Sequence, residues 1–242
     1  MGALQGKTII ITGASSGFGE ATALACAEAG ANVSLVARRK AELERVARLA
    51  REAGGRALVC PADVSDDEQI YAAVDRTREE FGAIDVLFNN AGANMSARSI
   101  ADTRPEQWRW LMDVNLTSAF VFTRAVLDEM KTRGDGLIIN LASRAGMQPS
   151  LTAGVTYSAS KIGMDALTQV TNQEGNPHGV RACLFNPGMG DTPIINMRPK
   201  PFSAEQRAKM IQSEDIAATI VFLCSLPPRV TIDLISMLPT QK

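Results

Sequence analysis

The chain has 242 residues, with 25 lysines and arginines against 26 aspartates and glutamates and a formal net charge of −1. Charges spread this evenly supply no basic face to track a phosphate backbone, which argues against a nucleic-acid partner. No apolar stretch approaches the ~20 residues of a membrane span, and Met1 runs toward a short strand with no cationic-then-apolar leader. A cytosolic protein with no membrane partner is therefore expected.

The length suits one α/β domain over residues 1–242 with a large core. Cys26, Cys60, Cys183 and Cys224 lie far apart and form no Cys-x-x-Cys pair, so reduced, buried thiols and no metal site are expected. The one histidine, His178, precedes a strand in a loop and is expected at the surface.

From Thr8 to Ile11 the residues are β-branched on both parities, which suits a strand buried on both faces of a parallel sheet. It runs into Thr12-Gly13-Ala14-Ser15-Ser16-Gly17-Phe18-Gly19, and a helix follows from Ala21 to Ala29. Glycines let a backbone come close to a ligand, and free N–H groups at a helix start favour a pyrophosphate. The spacing, Gly-x-x-x-Gly-x-Gly, differs from the common Gly-x-Gly-x-x-Gly fingerprint.

A second strand, Asn32 to Ala37, ends in Arg38, Arg39 and Lys40, and a helix is expected over 42–53. In dinucleotide folds an acid closing this strand binds the ribose 2′-hydroxyl, whereas a nearby arginine accommodates a 2′-phosphate. Here Ala37 is followed by arginine, and Arg38, directly after it, is the better placed cation. Three cations at a helix start oppose its dipole, so phosphate recognition is favoured over a merely solvated patch.

A third strand, Arg56 to Cys60, leads to Asp63-Val64 and a helix over 66–81 with Ser65 as N-cap. Asp63 falls beyond the strand's carboxyl end, where it can accept from an adenine amino group or serve as a turn aspartate. Ile84 to Phe88 is a fourth strand that empties into Asn89-Asn90-Ala91-Gly92, suited to backbone passing close to a ribose and equally to an ordinary turn. A long helix over 105–131 contains Asn115, which by itself reads as a satisfied core amide. Its apolar Phe120, Val121 and Leu127 spread beyond one helical face, and a homo-oligomer, tetramer or dimer, is expected.

The fifth strand, Gly136 to Leu141, delivers Ser143. In the next helix, ending near Glu174, Tyr157 and Lys161 stand one turn apart on one face. A tyrosine titrates near ~10 and is a poor proton donor at neutral pH, but a sheltered cation at ~4 Å contributes ~4 kcal/mol at a dielectric of 20, about three pKa units. A sixth strand over 180–185 leads through Pro187-Gly188 to Thr192. The proline-rich stretch 193–203 reads as a loop with one short turn, part of a substrate loop at about 190–212. A helix over 213–224 and a last strand over 231–237 complete the chain.

Together these stretches resemble the short-chain dehydrogenase/reductase family over essentially the whole chain. The likeness rests on Thr12 to Gly19, Asn89 to Gly92, Asn115, Ser143, Tyr157, Lys161 and Pro187-Gly188, in order. It implies a single Rossmann-like, doubly wound parallel sheet of about seven strands with helices on both faces. It also implies a catalytic tetrad of Asn115, Ser143, Tyr157 and Lys161. Ser143 would hold a carbonyl oxygen, Tyr157 would protonate it, Lys161 would lower the Tyr157 pKa and hold a ribose, and Asn115 would anchor a water.

The cofactor implied is NADP(H). It would be held by Gly13, Ser15, Ser16, Gly17, Phe18 and Gly19, by Arg38, Arg39, Asp63 and Val64, by Asn90, Ala91 and Gly92, and by Tyr157 and Lys161. Pro187 and Gly188, with Met189 and Thr192 at the carboxamide, would complete the set. The activity implied is hydride transfer between NADP(H) and a carbonyl or secondary alcohol of ketone or 3-oxoacyl type.

An extended-branch epimerase or dehydratase would need a larger C-terminal domain, and a cofactor-binding sensor would not need the tetrad. Two departures stand out: Gly190 where a larger apolar residue is usual, and a last strand without the Asp-Gly-Gly ending of many members. Asn94, Met95, Met147, Gln148, Leu151, Ile194 and Met197 are the expected pocket residues, and their mixed character suggests an uncharged or amphipathic carbonyl compound.

Overall fold

The computed structural model describes residues 2–197 and 201–240. Seven strands form one sheet in the order β3-β2-β1-β4-β5-β6-β7, every pair parallel. They are β1 (Thr8–Thr12), β2 (Asn32–Ala37), β3 (Arg56–Pro61), β4 (Val86–Asn89), β5 (Gly136–Leu141), β6 (Val180–Pro187) and β7 (Leu234–Met237). The β-branched run of β1 explains its central place: all five residues are buried, with Ile9 and Ile11 packed into one core layer and Ile10 into the other.

Helices cover both faces. On one side lie α1 (Gly17–Glu28), α2 (Lys40–Glu52) and α9 (Ser213–Ser225), whose Cys26, Val46 and Ile220 share a core with Ile9, Leu35 and Phe88. On the other lie α3 (Asp67–Phe81), α5 (Ser118–Arg133) and α7 (Val155–Gly175), with Ile70, Phe122 and Met164 packed beneath them. Three shorter helices, α4 (Pro105–Met112), α6 (Arg144–Met147) and α8 (Ala204–Ala208), sit at the edges. The expected doubly wound sheet is thus the observed one. No helix among the described residues is long and apolar enough to cross a membrane.

Several boundaries differ from expectation for local reasons. Helix α1 begins at Gly17 rather than Ala21, so the end of the glycine loop is itself the first helical turn. At α3 the cap is Asp66, which accepts from Glu68 N (3.0 Å) and Gln69 N (3.2 Å), while the Ser65 hydroxyl donates to Asp63 at 2.7 Å. Strand β4 starts at Val86 because the backbone of Ile84 is taken up by side chains, its N–H by Glu129 and its carbonyl by Arg133. Strand β7 is short because its ladder spans only Leu184 to Pro187 of β6.

The long helix expected over 105–131 is broken into α4, a π-helical turn at Asp113–Thr117, and α5. Such a turn inserts an extra residue into a helix and is frequent at functional sites. Asn115 lies within it. Of the residues behind the oligomer expectation, Val121 is buried in the chain's own core and Leu127 packs against it, whereas Phe120 is 51% exposed.

Strand order reverses between β1 and β4, and a parallel sheet opens a crevice beyond its carboxyl ends at such a point. Thr12, Asn89, Leu141 and Pro187 end the four strands that surround it.

Candidate active site

The glycine loop is clamped from below by Thr12. Its hydroxyl accepts the N–H groups of Asn90 (2.9 Å) and Ala91 (2.8 Å), and the Asn90 side-chain amide donates to the Thr12 carbonyl at 2.7 Å. This crosslink holds the ends of β1 and β4 together where the chain must be tightest. Gly13 adopts a φ of 68°, and a Cβ there would come within 2.8 Å of the Asn90 amide, so only glycine fits. Ser16 precedes α1 in extended conformation and makes no side-chain cap, which leaves the first N–H groups of the helix without a partner from it, beside the cavity that Ser16 and Gly17 line.

The two arginines after β2 are placed differently. Arg39 reaches over the loop, with Nη2 donating to Ser15 Oγ and Ser16 Oγ, both at 2.9 Å. Arg38 is exposed and lies 3.9 Å from Asp63. The Asp63 carboxyl is held below the usual range first by the Ser65 N–H, with Arg38 adding to the effect. Val64 is 8% exposed and belongs to the core, as does Gly19, whose Cβ would strike the Gly13 carbonyl.

On the opposite wall α7 carries Tyr157 and Lys161. Lys161 is 3% exposed; its Nζ donates to the Leu141 carbonyl at 2.8 Å and stands 5.8 Å from the centre of the Tyr157 ring. Burial pulls its pKa down from 10.5 to about 8, so the ammonium form persists at neutral pH. Gly92 lies beside both: a Cβ on it would be in ordinary van der Waals contact, 3.6 Å from Lys161 Nζ and 3.5 Å from Asn115 Oδ1.

Asn115 is fully buried. Its Oδ1 accepts the Ala93 N–H (2.7 Å) and its Nδ2 donates to the Ala93 carbonyl (3.0 Å) and Ser160 Oγ (3.2 Å), tying the π turn to the loop after β4 and to α7. Ser143 caps α6, its Oγ accepting the Ala145 N–H at 3.1 Å, which leaves its own proton to donate. Asn186, which sequence reasoning passed over, accepts the Ser143 N–H at 3.2 Å and so fixes Ser143 from β6.

These elements enclose one cavity of about 1000 Å³, lined by Gly13, Ser16, Gly17 and Phe18 and by Ser143, Tyr157 and Lys161. Pro187, Gly188, Met189 and Thr192 also line it, as do Asn90 and Gly92. The volume, the uncapped helix start and the glycine cradle fit a dinucleotide with a small molecule beside it. Of the expected pocket residues, Asn94, Gln148 and Ile194 line the cavity. Met95 is buried, Met147 and Leu151 are exposed at the surface, and the Met197 side chain falls outside what is described.

A family model described as short chain dehydrogenase matches residues 7–201. The chain belongs to the short-chain dehydrogenase family. It is 33% identical over 239 residues to an uncharacterized oxidoreductase of Staphylococcus epidermidis, covering 99% of this chain and 100% of that protein. A metagenomic short-chain oxidoreductase solved in complex with NADP superposes with a TM-score of 0.86 at 31% identity, covering 99% and 100% of the two chains. An alcohol dehydrogenase from the archaeon Thermococcus sibiricus, complexed with 5-hydroxy-NADP, gives 0.87 at 28% identity, with 98% and 97% covered. The protein is thus an oxidoreductase of the short-chain dehydrogenase family.

Gly190, one of the two departures, now has a cause. A Cβ on it would sit 2.3 Å from Cζ of Phe18, so the large ring in the glycine loop occupies the space a side chain at 190 would take. Gly190→Val should cost about 1 to 3 kcal/mol through overpacking, and Phe18→Leu, which removes Cζ, should restore most of it in the double variant. Urea unfolding of the four proteins reads this directly, and additive losses would contradict it.

Lys161 carries a second expectation. Its folded pKa is depressed, so its burial costs stability below pH 8 and that cost fades as pH rises toward 10.5. Lys161→Met should therefore be more stable than wild type at pH 7, by up to about 3 kcal/mol less about 1 for the lost hydrogen bond. Its advantage should shrink between pH 8 and 10, and a difference independent of pH would refute the assignment.

Proposed function

We propose that this short-chain dehydrogenase transfers hydride between NADP(H) and a carbonyl or secondary alcohol. The observation that carries the reading is the meeting of Ser143, Tyr157 and a buried Lys161 in the same cavity as the glycine cradle. A sensor would have no need of Ser143 and Tyr157 beside that ammonium.

A bound nicotinamide cofactor supplies the hydride. The chain's own residues do the rest. Ser143 Oγ, oriented by the Ala145 and Asn186 contacts, donates to the carbonyl oxygen. Tyr157 gives that oxygen a proton as negative charge develops, and the Lys161 ammonium stabilises the phenolate left behind. Asn115, fixed by Ala93 and Ser160, holds the π turn open for a water that resupplies the proton. Met189 and Thr192 orient the carboxamide end. Tyr157→Phe should abolish turnover while NADPH still binds, because the ring packs as before and only the proton donor is gone; near-normal turnover would sink the mechanism.

NADP over NAD is supported by Arg38 and Arg39, by the lack of an acid at Ala37, and by the NADP ligands of the two solved relatives. A hydrogen bond to a charged group contributes roughly 1.5 to 3 kcal/mol, about 10- to 150-fold in affinity. Arg38→Ala and Arg39→Ala should each weaken NADPH by that order while NADH changes little. Equal losses for both cofactors, by fluorescence titration, would rule the preference out.

The four free, buried cysteines suit a reducing cytosol, with burial raising the Cys183 and Cys224 thiols to about 12. Exposed Trp108, Phe120, Ile162 and Val170 on α4, α5 and α7 support a homo-oligomer built on these helices, a tetramer or a dimer. Light scattering at micromolar concentration should give a multiple of the 25.9 kDa chain, and a monomer would refute it.

A further inference from the structure

Beyond Ser143 and Tyr157 the cavity wall carries charge that hydride transfer to a neutral carbonyl does not use. Arg98, Arg144 and Lys209 line it, and among the described residues no aspartate or glutamate does. The three are not equivalent. Lys209 pairs with Glu205 at 3.2 Å. Arg98 is a strut: its Nη1 donates to the Ala153 carbonyl at 2.8 Å, joining the loop after β4 to the turn before α7.

Arg144 differs. It is half-buried, its Nε donates to Gln148 Oε1 at 3.2 Å, and no carboxylate of the described residues lies within 4 Å of it. A guanidinium presents five N–H donors in a planar fork that matches a carboxylate or phosphate bidentately. Holding it in a cavity wall without a counter-charge sacrifices hydration that a bound anion would restore. Arg144 also directly follows Ser143 in the chain. A substrate whose carbonyl oxygen rests on Ser143 therefore has this guanidinium within the reach of one side chain.

We infer that the substrate carries an anionic group, a carboxylate or a phosphate, a few bonds from the reacting carbonyl, and that Arg144 binds it. This rests on the carbonyl-reductase reading and, of the uncharged or amphipathic compounds suggested by the sequence, selects an amphipathic one whose polar end is charged. Arg144 acts here in substrate selection rather than in proton transfer.

The test follows NADPH oxidation with levulinate and its longer straight-chain homologues, each beside its methyl ester. The acids should exceed their esters in kcat/KM by about tenfold or more, as expected for a charge-assisted bond. In Arg144→Gln that ratio should collapse toward one, chiefly through KM, and Arg144→Lys should recover part of it. Esters reduced as well as the acids would overturn the inference while leaving carbonyl reduction intact.

If no member of the panel is reduced, that counts against the activity, and binding then decides the inference alone. Calorimetry of octanoate and octanamide on the wild-type complex with NADP⁺ should show the carboxylate tighter by about tenfold, and Arg144→Gln should erase the difference. Equal affinities in the wild type would overturn the proposal whatever the activity.

Discussion

One buried ammonium constrains the rest of this structure. Lys161 stands 3% exposed, and an unpaired charge so far from water is tolerated only if the surroundings supply oriented acceptors and little else. The Leu141 carbonyl, freed at the end of β5, is one such acceptor. For it to be available the strand must stop there, and it does, the chain turning into Ser143 and α6. The position of the lysine and the position of the serine are therefore set by the same strand end.

A similar economy governs the opposite lip. Thr12 crosslinks the ends of β1 and β4, and Asn115 grips the Ala93 backbone through both its N–H and its carbonyl. The π turn makes this possible, because it widens the helix where the asparagine must point inward. Each polar group at the sheet edge is thus fixed by another strand or helix than its own, which is the preorganisation that proton transfer in a cavity needs.

The strands, the glycine loop and the pairing of Tyr157 with Lys161 were legible because their signals are local: β-branched runs on both parities, glycines at a strand end, Tyr-x-x-x-Lys at helical spacing. Asn115 and Ser143 carry no such signal and were singled out only through the family resemblance. The features that sequence reasoning missed are non-local. Nothing near Asp113 announces a π turn, since the pull on Asn115 comes from Ala93 and Ser160. The Asn186 contact to Ser143 spans 43 residues. Arg38 was favoured over Arg39 from its place after Ala37, yet Arg39 is the one that lies across Ser15 and Ser16. Val121 and Leu127 read as surplus apolar surface, although Val121 is buried in the core and Leu127 packs against it. Gly190 read as a departure until the Phe18 ring accounted for it.

The central claim, that Lys161 makes Tyr157 a proton donor at neutral pH, can be measured without any substrate. The chain has two tyrosines, so in a Tyr71→Phe background the ultraviolet tyrosinate signal reports Tyr157 alone. The account predicts that it ionises well below the ordinary tyrosine value of ~10 and that adding Lys161→Met moves it back to ~10 or above. A Tyr157 that titrates near 10 with or without the lysine would contradict it.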